Sequence, residues 1–247
     1  TVRLIRGDLE ALRVQPAMAV ELPERELTFP SHRALGSLYV REQAHDADKW
    51  YSEDAWNFVG MARGRIRVPA QHEARLEVSQ EGIRDLSPLT NLTSVAIQSL
   101  ILRDLRLSDD QMPWKDLSHL SSLREIRLSG NPLTDASIDR LKLFPGLCRV
   151  VLNDTQIGDA AVARLWAMKS VKELGLYRTR ITDKALESLG KMHQLRSLDL
   201  LKTPISDVGL SHLVNLTNLT LLRISDCDLT DRGLSFVSAI SSLRRLD

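Results

Sequence analysis

The sequence predicts an α/β solenoid, a fold in which a short strand, a turn and a helix recur along the chain. Three observations predict it. An Ile/Leu-x-Asp triplet occurs six times, the triplets define a unit of 24 residues, and apolar residues fill the same seven positions of each unit. Because one unit is too small to bury its own apolar side chains, the units must stack into a continuous core.

The units follow one another from residue 97 to the end of the chain. The first of them, residues 97–122, carries two extra residues near Met112. The pattern would also allow a unit that starts at Leu102, but a unit that starts at Ile97 aligns Asp109 with the aspartates of the later units. Clean units begin at Leu123, Leu147, Val171, Leu195 and Leu219, and a stub covers residues 243–247.

The spacing inside the unit at residues 195–218 predicts its secondary structure. Its first six positions alternate as in a short strand, with Leu198 and Leu200 pointing inward. Positions 16 and 19, which are Leu210 and Leu213, have helical spacing. Stacked units therefore place parallel strands on one side of the solenoid and helices on the other.

This pattern resembles the leucine-rich repeat family, over about residues 97–247. The similarity is greatest to the ribonuclease-inhibitor-like and cysteine-containing classes and to bacterial repeats of the form LxxLxLxxTxITDxGLxxL. The resemblance implies a right-handed, horseshoe-shaped leucine-rich-repeat solenoid with a parallel concave β-sheet and convex helices. It also implies that position 9, which holds Thr179 and in the last full unit Cys227, hydrogen-bonds the turn backbone from inside.

The N-terminal third lacks the repeat and predicts a different structure. Residues 1–72 carry six of the eleven aromatic residues, and alternating runs at 35–42, 64–70 and 74–80 indicate strands. We expect residues 1–72 to form a β-rich capping domain on a solenoid that spans residues 73–247, with an atypical first repeat at 73–96. An independent β domain that binds a glycan or small ligand is the alternative.

Two further segments raise separate questions. The polar stretch 45–54 could hold a cation, but a solvated hairpin loop is the simpler interpretation. The chain ends at Asp247, directly after the seventh strand begins, without a polar capping repeat. Three explanations stay open: the chain is a fragment, its uncapped C-terminal end self-associates, or another segment covers that end.

Bulk composition narrows the classes of partner. Lys and Arg total 33 and Asp and Glu total 32, so the net charge of +1 favours neither nucleic acid nor a membrane surface. The two cysteines, Cys148 and Cys227, are too few for a disulfide scaffold, and no apolar run reaches the roughly 18–20 residues that span a bilayer. We therefore expect a cytoplasmic protein.

The sequence carries no recognisable catalytic motif. GxSxG, HExxH, P-loop and GxGxxG patterns are absent, the six histidines are scattered, and the three within the repeats share no repeat phase. The aspartates of the triplets precede each predicted helix, so we interpret them as helix N-caps rather than as a ladder of metal ligands. These observations predict a protein that is not an enzyme and that has no metal or cofactor.

Function is expected on the concave sheet, where outward positions have no packing role. Gly175 should leave a recess beside Tyr177, the one aromatic residue at these positions in the repeats, and arginines surround it. An aromatic anchor among arginines is typical of an interface hot spot, although a solvated sheet with a chance tyrosine is equally consistent. The predicted partner-binding residues are Arg149, Val151, Gly175, Tyr177, Arg178, Leu201, Lys202 and Arg223.

The most economical function is a non-catalytic scaffold that binds a protein or peptide on this concave face. The alternative is a substrate-recognition domain of a larger multidomain enzyme or effector, since the cysteine-containing repeats resemble those of ubiquitin-ligase receptors. Residues 1–72 show no F-box-like helical segment, which argues against that particular version. Binding of a glycan or small ligand through the β cap is the third hypothesis.

Overall fold

The computed structural model describes residues 22–43 and 56–247 of the chain. Within these ranges the strands are β1 (Arg25–Thr28), β2 (Gly36–Glu42), β3 (Asn57–Met61), β4 (Arg65–Val68), β5 (His72–Val78), β6 (Ser99–Ile101), β7 (Glu125–Arg127), β8 (Arg149–Val151), β9 (Glu173–Gly175), β10 (Ser197–Asp199), β11 (Leu221–Arg223) and β12 (Arg245–Leu246). The helices are α1 (Trp114–Leu117), α2 (Ile138–Leu141), α3 (Asp159–Leu165), α4 (Asp183–Leu189), α5 (Asp207–Leu210) and α6 (Asp231–Ser238). Short 3₁₀ turns lie at Gly82–Arg84, Ser87–Asn91, Asp135–Ser137 and Ser211–Leu213.

Ten of these strands form one sheet. From β5 to β12 each strand pairs in parallel with the next strand along the chain. At the other end β2 pairs antiparallel with both β5 and β3, so that β3 is the edge strand. β1 and β4 form a separate antiparallel pair. The sheet is therefore continuous from the N-terminal strands into the repeats.

The parallel strands align unit by unit. Ser99 of β6 lies opposite Glu125 of β7, which is the register that a unit start at Ile97 requires. The same third position continues along the sheet through Arg149, Glu173, Ser197, Leu221 and Arg245. Residues that share a repeat position consequently form straight rows across the sheet, and their side chains lie on the same face.

The apolar positions of the repeat form one core. In the unit at 195–218, Leu195, Leu198, Leu200 and Leu213 have no exposed surface. The same cluster extends from Leu27, near the N-terminal end of the described residues, through every unit of the solenoid. Each layer is buried only because the units on both sides cover it, as the sequence pattern predicts.

Each unit turns at position 8 through a left-handed backbone conformation. The residues there have φ between 51° and 70°, and only one of them is glycine: Asp104, Gly130, Asp154, Arg178, Lys202 and Asp226. One residue later, the hydroxyl of Thr179 donates to the carbonyl oxygen of Leu176 at 2.7 Å, which closes the turn from inside. The half-buried Cys227 occupies the equivalent position, and its thiol donates to the carbonyl oxygen of Leu200 at 3.2 Å.

The structure corrects the predicted role of the aspartates in the triplets. The N-cap of α4 is Thr182, whose hydroxyl accepts from the backbone N–H of Lys184, and Asp183 is the first residue of the helix. The Asp183 carboxylate instead accepts hydrogen bonds from Ser206, the N-cap of α5, at 2.7 Å from the backbone nitrogen and 2.6 Å from the hydroxyl. The aspartates therefore connect consecutive units.

The N-terminal strands lie close to their expected positions. The predicted runs at 35–42, 64–70 and 74–80 correspond to β2, β4 and β5, and the sequence reasoning did not anticipate β1 and β3. β5 pairs with β6 through Arg75 to Glu77, which lie within the run predicted at 74–80. The polar stretch 45–54 lies outside the described residues.

The last unit exposes residues that earlier units bury. Leu234 is 48% exposed and Leu246 is 46% exposed, whereas the equivalent residues one unit earlier, Leu210 and Leu222, are buried. Each layer relies on the following unit for its cover, and Leu234 and Leu246 have no such cover. An apolar layer is thus accessible at this end of the described solenoid.

Candidate ligand-binding groove

An open groove of about 1070 Å³ crosses the sheet face that points away from the helices, which is the concave face of this fold. It extends from β7 to β12. Half of its lining residues occupy repeat positions 3 and 5, and most of the rest lie just before the strands of the last units. Four of the predicted partner-binding residues line it: Arg149, Val151, Gly175 and Arg223. The structure therefore brings half of the predicted set together in one concavity.

The other four predicted residues lie outside this lining, just beyond the strand ends. Tyr177 and Leu201 are half-buried, whereas Arg178 and Lys202 are exposed. Arg178 forms an ion pair with Asp154 at 3.1 Å, and its guanidinium carbon lies 5.8 Å from the centre of the Tyr177 ring. Lys202 lies 3.7 Å from Asp226 of the next unit. We call Tyr177, Arg178, Leu201 and Lys202 the rim of the groove.

Gly175 does not leave the expected recess. A β-carbon at this position would lie 2.7 Å from Oδ1 of Asn153 and 3.0 Å from Cγ1 of Val151. The Asn153 side chain already occupies that space, and its Oδ1 accepts a hydrogen bond from the backbone N–H of Tyr177 at 3.1 Å. A side chain at position 175 would therefore clash with Asn153, and no recess opens in the groove at this point.

A buried carboxylate organises the arginines on the β7 side of the groove. Glu125 is only 2% exposed, and Nη2 of Arg75 and Nε of Arg127 lie 2.8 Å and 2.7 Å from its carboxylate oxygens. Arg149 lies between two carboxylates, at 3.5 Å from Glu125 and 3.2 Å from Glu173. From β7 to β9 the third position thus alternates between acidic and basic side chains, which holds the guanidinium groups in defined positions.

A second ion-pair chain lies on the β10 and β11 side. Nη1 of Arg223 is 3.5 Å from the carboxylate of Asp199, and its Nε is 3.6 Å from that of Asp247. Arg223 is more exposed than Arg149, with 37% of its side chain accessible. The two chains flank the centre of the groove, where Val151, Gly175 and Ser197 present no charge.

Burial shifts the acid–base behaviour of the groove floor. It raises the pKa of Glu173 to about 7, although the Arg149 guanidinium opposes this effect. Burial also raises the pKa of Asp199 above its ordinary value. Near neutral pH, Glu173 is consequently protonated in a substantial fraction of molecules, and the groove then carries more positive charge.

The N-terminal strands add aromatic residues to the same sheet face, which the sequence reasoning missed. Trp56 lies between two guanidinium groups, 4.3 Å from Arg41 and 4.2 Å from Arg75. Tyr39 lies opposite Arg75 in the β2–β5 pair and contacts Phe58 edge-on at 5.5 Å. The alternation of β2 places Tyr39 and Arg41 on one face, but no sequence signal indicated that this face continues the concave sheet.

The histidines and acidic residues form no metal centre in the described ranges. No group of three or more His, Cys, Asp or Glu side chains within residues 22–43 and 56–247 is arranged to hold a metal ion. Cys148 is half-buried, and burial raises the pKa of its thiol. In this part of the chain, no helix combines the length and apolar character needed to cross a membrane.

The fold and groove define an α/β solenoid protein with a polar concave face. Comparison with known proteins identifies the type of repeat. A family model described as leucine-rich repeat matches residues 119–141 and 215–238. The chain therefore carries leucine-rich repeats, and its solenoid is a leucine-rich-repeat solenoid. A comparison with curated proteins gives no match.

Two solved structures from Listeria monocytogenes are similar in fold. An internalin (inlF) is 22% identical with a TM-score of 0.53, over 66% of this chain and 44% of that one. Internalin C2 is 23% identical with a TM-score of 0.52, over 70% of this chain and 79% of that one. The chain thus spans less than half of the first internalin, and these likenesses establish the fold alone.

Proposed function

We propose that this chain is a non-catalytic interaction scaffold that binds a protein or peptide on its concave face. The observation that carries the proposal is the open groove across β7 to β12. Its charged side chains point away from the core between the sheet and the helices, yet they form ordered ion pairs instead of a uniformly solvated surface. The same face would serve equally well if the chain were the recognition part of a longer protein.

The rim supports this proposal through its backbone. Arg178 and Lys202 have φ of 51° and 53°, a left-handed conformation that costs an ordinary residue roughly 1–2 kcal/mol. Gly130 shows that the turn accepts glycine, which adopts this conformation without strain. The chain nevertheless has exposed cationic side chains at these two positions, and each also pairs with an acidic residue of a neighbouring unit, Asp154 or Asp226. Their exposed surface is accessible to a ligand.

We assign no catalytic role to the groove. The acidic side chains on its floor are engaged by arginines, as Glu173 is by Arg149 and Asp199 is by Arg223. A general base must instead be free to reach a proton of the substrate. Ion pairing of this kind positions guanidinium groups for binding and supports an interaction surface over a reaction centre.

The test compares two aromatic–cation pairs on opposite faces of the molecule. Tyr177→Ala/Arg178→Ala removes the pair at the rim of the groove, and Trp166→Ala/Lys169→Ala removes a similar pair at the end of α3, where Lys169 lies 4.0 Å from the Trp166 ring. Immobilised wild-type and variant chains are incubated with native lysate, and the captured proteins are quantified by mass spectrometry.

The proposal expects a specific partner to be lost from the Tyr177/Arg178 variant and retained by the Trp166/Lys169 variant. Truncation of a hot-spot residue costs about 2 kcal/mol or more, which corresponds to at least a roughly 30-fold loss of affinity. Equal capture by both variants, with circular dichroism showing both to be folded, would contradict binding through the rim.

A further inference from the structure

We propose that the concave groove binds an acidic peptide in extended conformation, with carboxylates near both ends of a short uncharged segment. This inference rests on the proposed function and specifies the chemistry of its partner. The carboxylates would meet arginines at opposite sides of the groove, and the uncharged segment would cross the strands between them.

The charges lining the groove are the first observation. Six arginines line it, together with the carboxylates of Glu173 and Asp199. Two further carboxylates, those of Glu125 and Asp247, pair with lining arginines from outside the groove, so arginines still outnumber carboxylates. Three of these arginines lie in β7, β8 and β11 and a fourth directly precedes β10, so the positive charge does not come from the last strand alone. The six are Arg127, Arg149, Arg196, Arg223, Arg244 and Arg245. Guanidinium groups match carboxylates in shape and charge, so an acidic ligand complements this lining.

The row of side chains at repeat position 5 is the second observation. Within the groove this row starts with a basic residue, continues through two small uncharged residues and ends with an acid–base pair: Arg127, Val151, Gly175, Asp199 and Arg223. Adjacent strands are about 4.8 Å apart, so Arg127 and Arg223 are separated by roughly 19 Å. An extended peptide covers that distance with about six residues, and residues an even number apart point to the same face.

The acidic side chains on the floor favour a peptide over a continuous polyanion. Asp199 lines the groove between the two arginine groups, and Glu173 adds negative charge there when it is ionised, so a backbone with a charge on every unit would meet repulsion. A peptide can instead place uncharged residues over the floor and carboxylates only at its ends. At the centre, the half-buried Val151 offers apolar surface to such residues, and the uncharged amide of Asn153 covers Gly175.

The test measures binding of defined peptides to the whole chain by fluorescence anisotropy. The first probe is a fluorescein-labelled peptide with two glutamates at each end of an uncharged serine–valine segment. An isomeric peptide has the same four glutamates together in its middle, and a third peptide carries lysines in place of the glutamates. Single-stranded DNA of matched length represents a continuous polyanion.

The proposal expects the first peptide to bind at least about tenfold more tightly than its isomer, and the lysine peptide not to bind. Arg223→Gln should weaken the first peptide about tenfold, whereas Arg140→Gln on the exposed surface of α2 should leave its affinity unchanged. High salt should weaken binding, since the contacts are between charges. If Arg223→Gln fails to fold by circular dichroism, Arg196→Gln replaces it.

Two results would overturn the inference. Equal affinity for the two glutamate isomers would show that the groove does not read the spacing of the carboxylates. Tighter binding of the DNA, with the same loss in Arg223→Gln, would assign the groove to a polyanion. If the lysate experiment shows a partner lost from the rim variant while no acidic peptide binds, the acidic specificity fails and the interaction scaffold stands.

Discussion

At the scale of single residues, Glu173 helps to position Arg149 in the groove at a cost to the stability of the folded protein. Its carboxylate lies on the third position of β9, is only 7% exposed and is held by Arg149. The next strand, β10, places the uncharged Ser197 beside it. The charged groups that face it come from three other strands: Arg149 on β8, Glu125 and Arg127 on β7, and Arg41 on β2. Burial dominates over these neighbours, so the ionised form is disfavoured.

Glu173→Gln is therefore expected to stabilise the protein at high pH. The pKa of Glu173 rises from 4.5 to about 7 on folding, so the stability of the wild type is greatest below pH 4.5 and falls as the pH rises through 7. The difference corresponds to about 3 kcal/mol, which the glutamine variant should recover above pH 7 but not below pH 4.5. Urea denaturation at both ends of this range measures it.

The control for this substitution is Glu187→Gln on α4, where the glutamate is exposed and bonded to Lys191. This variant should show no gain of stability at high pH. An advantage of Glu173→Gln that is the same below pH 4.5 and above pH 7 would contradict the raised pKa, because the advantage would then come from packing.

At the scale of elements, the joint between consecutive helices is an aspartate bonded to the next N-cap. The sequence reasoning placed the cap one residue too late, on Asp183 rather than Thr182. The hydroxyl residue before each aspartate was visible in most units, as in Thr134, Ser206 and Thr230. The true partner of each aspartate lies 23 to 25 residues away in sequence for most units, so the pattern of a single unit could not reveal it.

Asp183→Asn tests this joint against a matched position. The substitution weakens two charge-assisted hydrogen bonds to Ser206 and should lower the free energy of unfolding by about 1–2 kcal/mol. Asp231 occupies the same helix position, but no described residue donates a hydrogen bond to its carboxylate. Asp231→Asn removes only the favourable interaction with the helix dipole, roughly 0.3–1 kcal/mol. Equal losses in denaturant titrations would reject the inter-unit role.

At the scale of the whole molecule, the solenoid could be predicted and the groove only in part. The 24-residue period determines which side chains are buried and which share a row, because stacking units repeat the same contacts. The N-terminal strands have no period, so their continuation of the sheet, and Trp56 between Arg41 and Arg75, could not be deduced. The recess expected at Gly175 is absent because the side chain of Asn153, from the neighbouring unit, fills that space.

Dependence on neighbouring units also predicts how a core substitution acts. Leu198→Ala removes a side chain that is fully buried between two units, and should cost about 2–5 kcal/mol. Leu246→Ala changes the same repeat position where the side chain is 46% exposed, and should cost less than about 1 kcal/mol. Guanidinium denaturation of both variants measures the difference, and comparable losses would show that stacking does not determine burial.

The aspartate–hydroxyl joints also make the units interchangeable. Asp159 bonds the N–H and hydroxyl of Thr182, and Asp183 bonds the same two groups of Ser206. If residues 171–194 were deleted, Ser206 would take the place of Thr182. Asp159 would then accept hydrogen bonds from the same two groups, a backbone N–H and a side-chain hydroxyl. Insertion or deletion of whole units would thus lengthen or shorten the solenoid and its groove, and every new junction would keep the aspartate–hydroxyl hydrogen bonds.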